Sequence, residues 1–307
     1  VLSCIGNTSL VPLQRIVPSG HARILVKLET ENPSGSMKDR MALAMIEAAE
    51  ANGRLTRAGV VEYSTGNTGV ALALICAVKG LPLHIVTSDA YSPEKRDQMA
   101  MFGARFEIVK SAAGQMTGKL TRDIIETARA FSATTGAYWT DQLNNTDQLP
   151  AYHLMADEIH RQAGGRIDAF VQAVGSAACF VGVASRLKEH QPGVSAIAVE
   201  PAESPVLSGG ASGAHRIDGM GAGFVVPLWN PAIPDGIERV STEEAIAMSL
   251  RLAREEGLFG GPTTGANVTA ALRLARQLGP GATVVSAVCD TGLKYARTFG
   301  EAVARGH

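Results

Sequence analysis

Short β-branched runs alternate with helical patterns along most of this chain, and no other feature limits its fold as strongly. Strands are predicted over residues 24–28, 60–63, 83–87 and 105–109, with helices over 41–51, 67–79, 93–101 and 114–130. Gly80 closes the second helix and Pro93 opens the third, the positions where each residue type fits best. Strand and helix in turn, with short connections, specify α/β architecture: mostly parallel sheets with helices on both faces. Around residues 136–150 the pattern breaks into a polar, turn-prone segment, which sets a boundary between domains 1–145 and 146–307, with the stretch before residue 35 able to pack on the second domain. A second series follows: helices over 147–162, 177–190, 242–256, 264–277 and 294–305, and strands over 169–174, 195–199 and 283–288. Ser241-Thr242-Glu243-Glu244 is a capping box at the start of its helix. Residues 201–234 are rich in Gly and Pro and read as a long irregular stretch, of the kind that is functional or hides further elements. Each half is therefore expected to be a three-layer α/β/α domain.

Composition narrows the partners. The 307 residues carry 28 basic against 29 acidic side chains with no long run of one sign, so no footprint for nucleic acid or an anionic membrane is present. Cys4, Cys76, Cys179 and Cys289 form no CxxC pair, which points away from a zinc site or disulfide framework and toward a reducing, cytoplasmic setting. No apolar run reaches membrane-spanning length, and the start at Val1 shows no signal pattern, although a leader removed ahead of Val1 stays open. A small molecule or another protein is the expected partner, and no metal is expected.

Four loops at element junctions carry candidate chemistry. In Asn32-Pro33-Ser34-Gly35-Ser36-Met37-Lys38-Asp39-Arg40, Lys38 stands at or near a helix N-terminus, where the helix dipole disfavours a cation and eases loss of its proton. That suits a Schiff-base lysine, although a lone lysine there is more often a solvated first-turn residue. Ser64-Thr65-Gly66-Asn67-Thr68-Gly69 reads equally as a carboxylate or phosphate cradle and as a simple N-cap. Gly175-Ser176-Ala177-Ala178-Cys179 is either an anion cradle or a tight turn that needs small residues; it lacks the GxGxxG spacing, which weakens a dinucleotide reading. After the last strand, Asp290 or Thr291 either points into the crevice at the strand ends or caps the final helix.

Taken together and in order, these motifs resemble the cysteine synthase (O-acetylserine sulfhydrylase) and cystathionine β-synthase family, whose fold is shared with the tryptophan synthase β subunit. The similarity runs nearly end to end, through Ile5-Gly6-Asn7-Thr8-Ser9-Leu10-Val11, the Asn32–Arg40 loop, Thr65–Gly69, residues 199–210 and Gly219-Met220-Gly221-Ala222-Gly223-Phe224. It implies fold type II of the pyridoxal-phosphate enzymes, with pyridoxal 5′-phosphate on Lys38 and Lys38 moving the substrate Cα proton. By the same resemblance Asn67 holds the cofactor 3′-oxygen, and Ser64, Thr65, Gly66, Thr68 and Gln142 grip the α-carboxylate. Gly175, Ser176, Ala177, Ala178 and Cys179 cradle the phosphate, and Thr291 meets the pyridine nitrogen. A hydroxyl there leaves the ring a weaker electron sink than a carboxylate would, which favours β-elimination and replacement through an aminoacrylate; Asp290 in that place would reverse the argument.

The reaction so implied is O-acetyl-L-serine, or a related activated serine, plus sulfide to L-cysteine. Neighbouring readings are cystathionine or another β-substituted alanine as product, a serine or threonine dehydratase, and a non-catalytic binding protein. The resemblance also implies a homodimer and a cleft able to take a serine acetyltransferase tail. Several positions depart from the usual pattern. The phosphate loop replaces Gly-Thr-Gly-Gly-Thr, and its two alanines are expected to bar a backbone conformation of positive φ. Ser64-Thr65 inverts the usual Thr-Ser order, Thr291 stands for serine, and Pro262-Thr263-Thr264-Gly265 stands for Ile-Ser-Ser-Gly, so a modified pocket is expected.

Overall fold

The structure, a computed structural model, describes residues 1–90, 93–111 and 118–305. The chain divides into two units: Val1–Ile5 with Lys38–Gln148, and Gly6–Met37 with the chain from Leu149 onward.

Unit 1 is built on four strands, β3 (Val60–Tyr63), β4 (Leu83–Ser88), β5 (Arg105–Val109) and β6 (Tyr138–Trp139), ordered β5-β4-β3-β6 and parallel throughout. Alternation along the strands sorts their side chains onto two faces. Val60, Leu83 and Ile85 pack with α1 (Lys38–Ala51), α2 (Asn67–Lys79) and α3 (Pro93–Met101), whereas Val61 and Val86 pack with Leu120, Ile124 and Ala128 of α4 (Gly118–Thr135). Helices therefore cover both faces, and β3, flanked by β4 and β6, is buried along its first three residues. The start expected for α4 at Gly114 lies outside the described residues. Its end lies further on than predicted because the Thr134 and Thr135 hydroxyls donate to carbonyls one turn back, at 2.9 and 2.7 Å.

Unit 2 holds six strands in the order β1-β2-β10-β7-β8-β9: β1 (Leu10–Pro12), β2 (Arg23–Leu28), β7 (Ala169–Ala173), β8 (Ser195–Pro201), β9 (Gly236–Val240) and β10 (Thr283–Val288). Only the β1–β2 pair is antiparallel. One face packs on α7 (Thr242–Glu256) and α8 (Pro262–Leu278), through Ala245, Leu252 and the alanine-rich side of α8. Phe170 of β7 stacks on Phe180 of α6 (Ala178–His190), with ring centroids 6.4 Å apart, and α5 (Leu149–Ala163) packs against α6. A short α9 (Ala296–Ala304) follows a single 3-10 turn, Gly292–Tyr295. The capping box at Ser241 is present, and α8 starts at Pro262 rather than Thr264, with Pro in its favoured first-turn position. Strands β1, β6 and β9 are absent from the sequence-based assignment. Among the described residues no helix is long and apolar enough to cross a membrane.

Candidate active site

In unit 1, Lys38 is the first residue of α1 and Asn67 the first of α2, and both are half-buried. The loop between β3 and α2 is folded around Ser64, whose Oγ accepts from Gly69 N at 2.8 Å and Gly66 N at 3.2 Å. Its hydroxyl therefore serves as the cap, although the capping position itself is Gly66. Gln142 is bound to the same loop: Thr68 Oγ1 donates to its Oε1 at 2.8 Å, and its Nε2 donates to the Tyr63 carbonyl at 3.2 Å. Ser64 and Thr68 are enclosed, while Thr65, Gly66, Asn67 and Gln142 keep accessible surface.

Beneath them lies a residue that the sequence reading passed over. Glu62 of β3 is fully buried; its Oε2 takes the Gln142 N–H at 3.1 Å and lies 2.5 Å from Thr140 Oγ1, and its Oε1 takes the Tyr63 N–H at 2.9 Å. Burial pushes this carboxyl up to about 8, against hydrogen bonds from Thr140 and Gln142 that pull it down.

In unit 2, the loop leading to Lys38 is fastened to the end of β10. Met37 N–H donates to the Cys289 carbonyl at 2.9 Å, Thr291 N–H donates to the Gly35 carbonyl at 3.0 Å, and Ser36 bridges to Asp290. Asp290 and Thr291, open alternatives in the sequence, have distinct surroundings. The buried Asp290 carboxylate accepts from Tyr295 Oη at 2.5 Å, whereas the half-buried Thr291 accepts through Oγ1 from Leu293 N at 3.3 Å. The other departures are likewise turned to local backbone: Thr263 Oγ1 donates to the Asp218 carbonyl at 2.5 Å, and Thr264 Oγ1 accepts from Cys289 N at 3.1 Å.

The turn between β7 and α6 contains Gly175, Ser176, Ala177, Ala178 and Cys179, all at least half-buried. Ala177 adopts φ +69°, in the left-handed region. The expectation that alanine would bar positive φ is thus corrected. The conformation costs about 1–2 kcal/mol, and a packed surround holds it, with Ala177 and Ala178 at 3% and 0% exposure. No side chain caps α6, so its first turn presents backbone N–H groups among small side chains, the chemistry that a phosphate dianion requires. Gly175 is needed for a different reason: a Cβ there would meet the Gly219 carbonyl oxygen at 2.5 Å. The donor set fits a phosphate monoester. Gly175→Ala is expected to destabilise unit 2 by about 1–3 kcal/mol through this clash and to weaken cofactor binding about 10-fold. Urea unfolding and cofactor titration measure the two effects, and unchanged values for both would show that the turn has room to spare.

Residues 1–290 match the family described as "Pyridoxal-phosphate dependent enzyme". The chain is 36% identical over 301 residues to cysteine synthase of Staphylococcus aureus (strain Mu50 / ATCC 700699), covering 97% of this chain and 95% of that protein. It superposes on the crystal structure of cysteine synthase from Entamoeba histolytica with a TM-score of 0.89 at 34% identity, over 97% of this chain and 88% of that one. A TM-score of 0.91 at 32% identity relates it to O-ureido-L-serine synthase, over 100% of this chain and 96% of the other.

Proposed function

The chain belongs to the pyridoxal-phosphate dependent enzymes, and from that premise we propose that it converts O-acetyl-L-serine and sulfide into L-cysteine and acetate. Bound pyridoxal phosphate supplies an electron sink conjugated with the substrate Cα. Lys38 anchors the cofactor, takes the Cα proton on its Nζ and returns it once the nucleophile has added at Cβ. Thr65, Gly66 and the Gln142 amide bind the α-carboxylate, supported by Ser64 and Thr68. Asn67 holds the cofactor's 3′-oxygen, and the turn from Gly175 through Ser176, Ala177 and Ala178 to Cys179 holds its phosphate.

The observation that carries the reaction type is the division between Asp290 and Thr291. The carboxylate next to the strand end is engaged by Tyr295, while the Thr291 oxygen accepts from a backbone N–H and so has its proton to offer. With pyridoxal phosphate bound, a Thr291 hydroxyl at the pyridine nitrogen would leave the ring a weaker electron sink than a carboxylate there would, which would favour loss of a β-acetoxy group. The same resemblance carries the expectations of a cytoplasmic homodimer and of a cleft that accepts a serine acetyltransferase tail.

The similarity to O-ureido-L-serine synthase bears on the second substrate. The test is product analysis of the holoenzyme with O-acetyl-L-serine and either sulfide or hydroxyurea. Faster formation of L-cysteine supports the proposal. Preference for hydroxyurea transfers it to another β-substituted alanine, and pyruvate as the main product from either mixture would assign a dehydratase instead.

A further inference from the structure

We propose that Glu62 is a positioning residue for substrate binding: its buried carboxyl ties the backbone of Gln142 to that of Tyr63 and thereby sets the Gln142 amide against the carboxylate-binding loop. The inference rests on the reading of Gln142 and the Ser64–Gly69 loop as the grip on the substrate α-carboxylate.

Gln142 is 80 residues from Glu62, and past the Thr140 N–H on the Val61 carbonyl the carboxyl continues the link between the two backbones. Oε2 takes the Gln142 N–H and Oε1 the Tyr63 N–H, at 3.1 and 2.9 Å. Both ends of the Gln142 side chain are also committed, Oε1 to Thr68 and Nε2 to the Tyr63 carbonyl, and the Gln142 carbonyl accepts from Gln148 Nε2 at 2.8 Å. One hydrogen of Gln142 Nε2 remains to be aimed at a ligand, and its direction follows from where the backbone is fixed. Asp141, just before, has φ +44°, so the segment enters Gln142 in a conformation that it would not keep unaided. Glu62 itself has 0% exposure and cannot touch substrate.

Core packing does not ask for an acid at this position, since the preceding strand residues are Val60 and Val61. Burying a carboxyl is unfavourable unless its oxygens are satisfied, and here they are satisfied by the backbone N–H groups that need fixing and by Thr140. The titratable neighbours acting on Glu62 are Asp141, which opposes its ionisation, and Tyr138. With the carboxyl protonated, its O–H can donate to Thr140 Oγ1 while the same oxygen still accepts from Gln142 N.

Glu62→Gln tests the proposal, because an amide NH2 can replace the donor but cannot also accept, so that one of the two backbone N–H groups loses its partner. In the holoenzyme, kcat/KM for O-acetyl-L-serine is expected to fall about 10-fold, mainly through KM, with kcat/KM for sulfide within about 2-fold of wild type. Affinity for L-alanine, which has the α-carboxylate and no β-leaving group, is expected to fall by the same factor when followed by the change in cofactor absorption. Glu62→Gln added to Gln142→Ala is expected to change nothing further, as required of a residue that acts through another. A folded Glu62→Gln enzyme with wild-type L-alanine affinity, or losses that multiply in the double variant, would overturn the assignment. If Glu62→Gln does not fold, Thr140→Val carries the test: L-alanine affinity reduced about 3-fold supports the proposal and unchanged affinity sinks it. Failure of the wild type to make L-cysteine would remove the proposed reaction alone, because L-alanine binding reads Glu62 independently of turnover.

Discussion

Replacing Lys38 with alanine is expected to lower turnover at least about 1000-fold while shifting stability by less than about 1 kcal/mol. The loss is large because two tasks fall on one amine: holding the cofactor and carrying the Cα proton. The backbone ahead of the lysine is held by the Met37 N–H on the Cys289 carbonyl and by the Thr291 N–H on the Gly35 carbonyl. The fold should tolerate the change because Lys38 opens α1, where alanine is at least as good a helix former. Lys38→Arg separates charge from chemistry. A guanidinium keeps the positive charge but does not give up its proton in proteins, so this variant should be as inactive as the alanine one. Turnover of either variant above about a tenth of wild type would show that another base moves the proton.

The cofactor itself should still bind to Lys38→Ala, though more weakly. Its phosphate is assigned to the turn from Gly175 to Cys179, which does not include the lysine, and that turn is shaped by Gly219 and by the strained Ala177 rather than by side-chain charge. Backbone N–H groups at the start of α6 need only small neighbours, and Ser, Ala and Cys all meet that condition.

Strand and helix alternation made the two α/β/α units legible, and the elements that escaped have a common cause. β1 and β9 are the two edges of the six-stranded sheet and β6 is an edge of the four-stranded one. Edge strands are short and polar or end in proline, so Leu10-Val11-Pro12 and Gly236-Ile237-Glu238-Arg239-Val240 lack the apolar run that identifies a central strand. Glu62 was missed for the opposite reason. In Val-Val-Glu-Tyr it looks like the polar step of an alternating strand, but β3 lies inside a sheet covered on both faces, so its polar step is buried as well. Its partners, Thr140 and Gln142, are distant in the chain and invisible to local pattern. Local pattern alone left Asp290 and Thr291 open, and only the family resemblance favoured Thr291; the hydroxyl of Tyr295, which reaches back five residues to Asp290 once the chain has turned, is invisible to local pattern.

Glu62 should also leave a signature in stability. Its carboxyl, pushed from 4.5 up to about 8 by burial, keeps its proton in the folded state over a range in which the unfolded chain has released it. Folding then binds a proton, and stability must fall as pH rises from about 4.5 to about 8, with no further loss from this group above that. At up to about 1.4 kcal/mol per pH unit, the loss across the window is on the order of 5 kcal/mol. Carboxylates held low act in the other direction: Asp157, through its hydrogen bond from Arg186, and Asp89, brought to about 2 by the Ser111 N–H, stabilise above the ordinary carboxylate range and lose that contribution in acid. Subtracting a Glu62→Gln variant, which carries no proton to lose, isolates the one term. Urea midpoints measured from pH 5 to 9 at fixed cofactor concentration should show wild type losing stability relative to Glu62→Gln up to about pH 8 and running parallel to it beyond. A constant difference throughout would mean that Glu62 is ionised in the folded protein, so that its oxygens hold Gln142 and Tyr63 as a carboxylate.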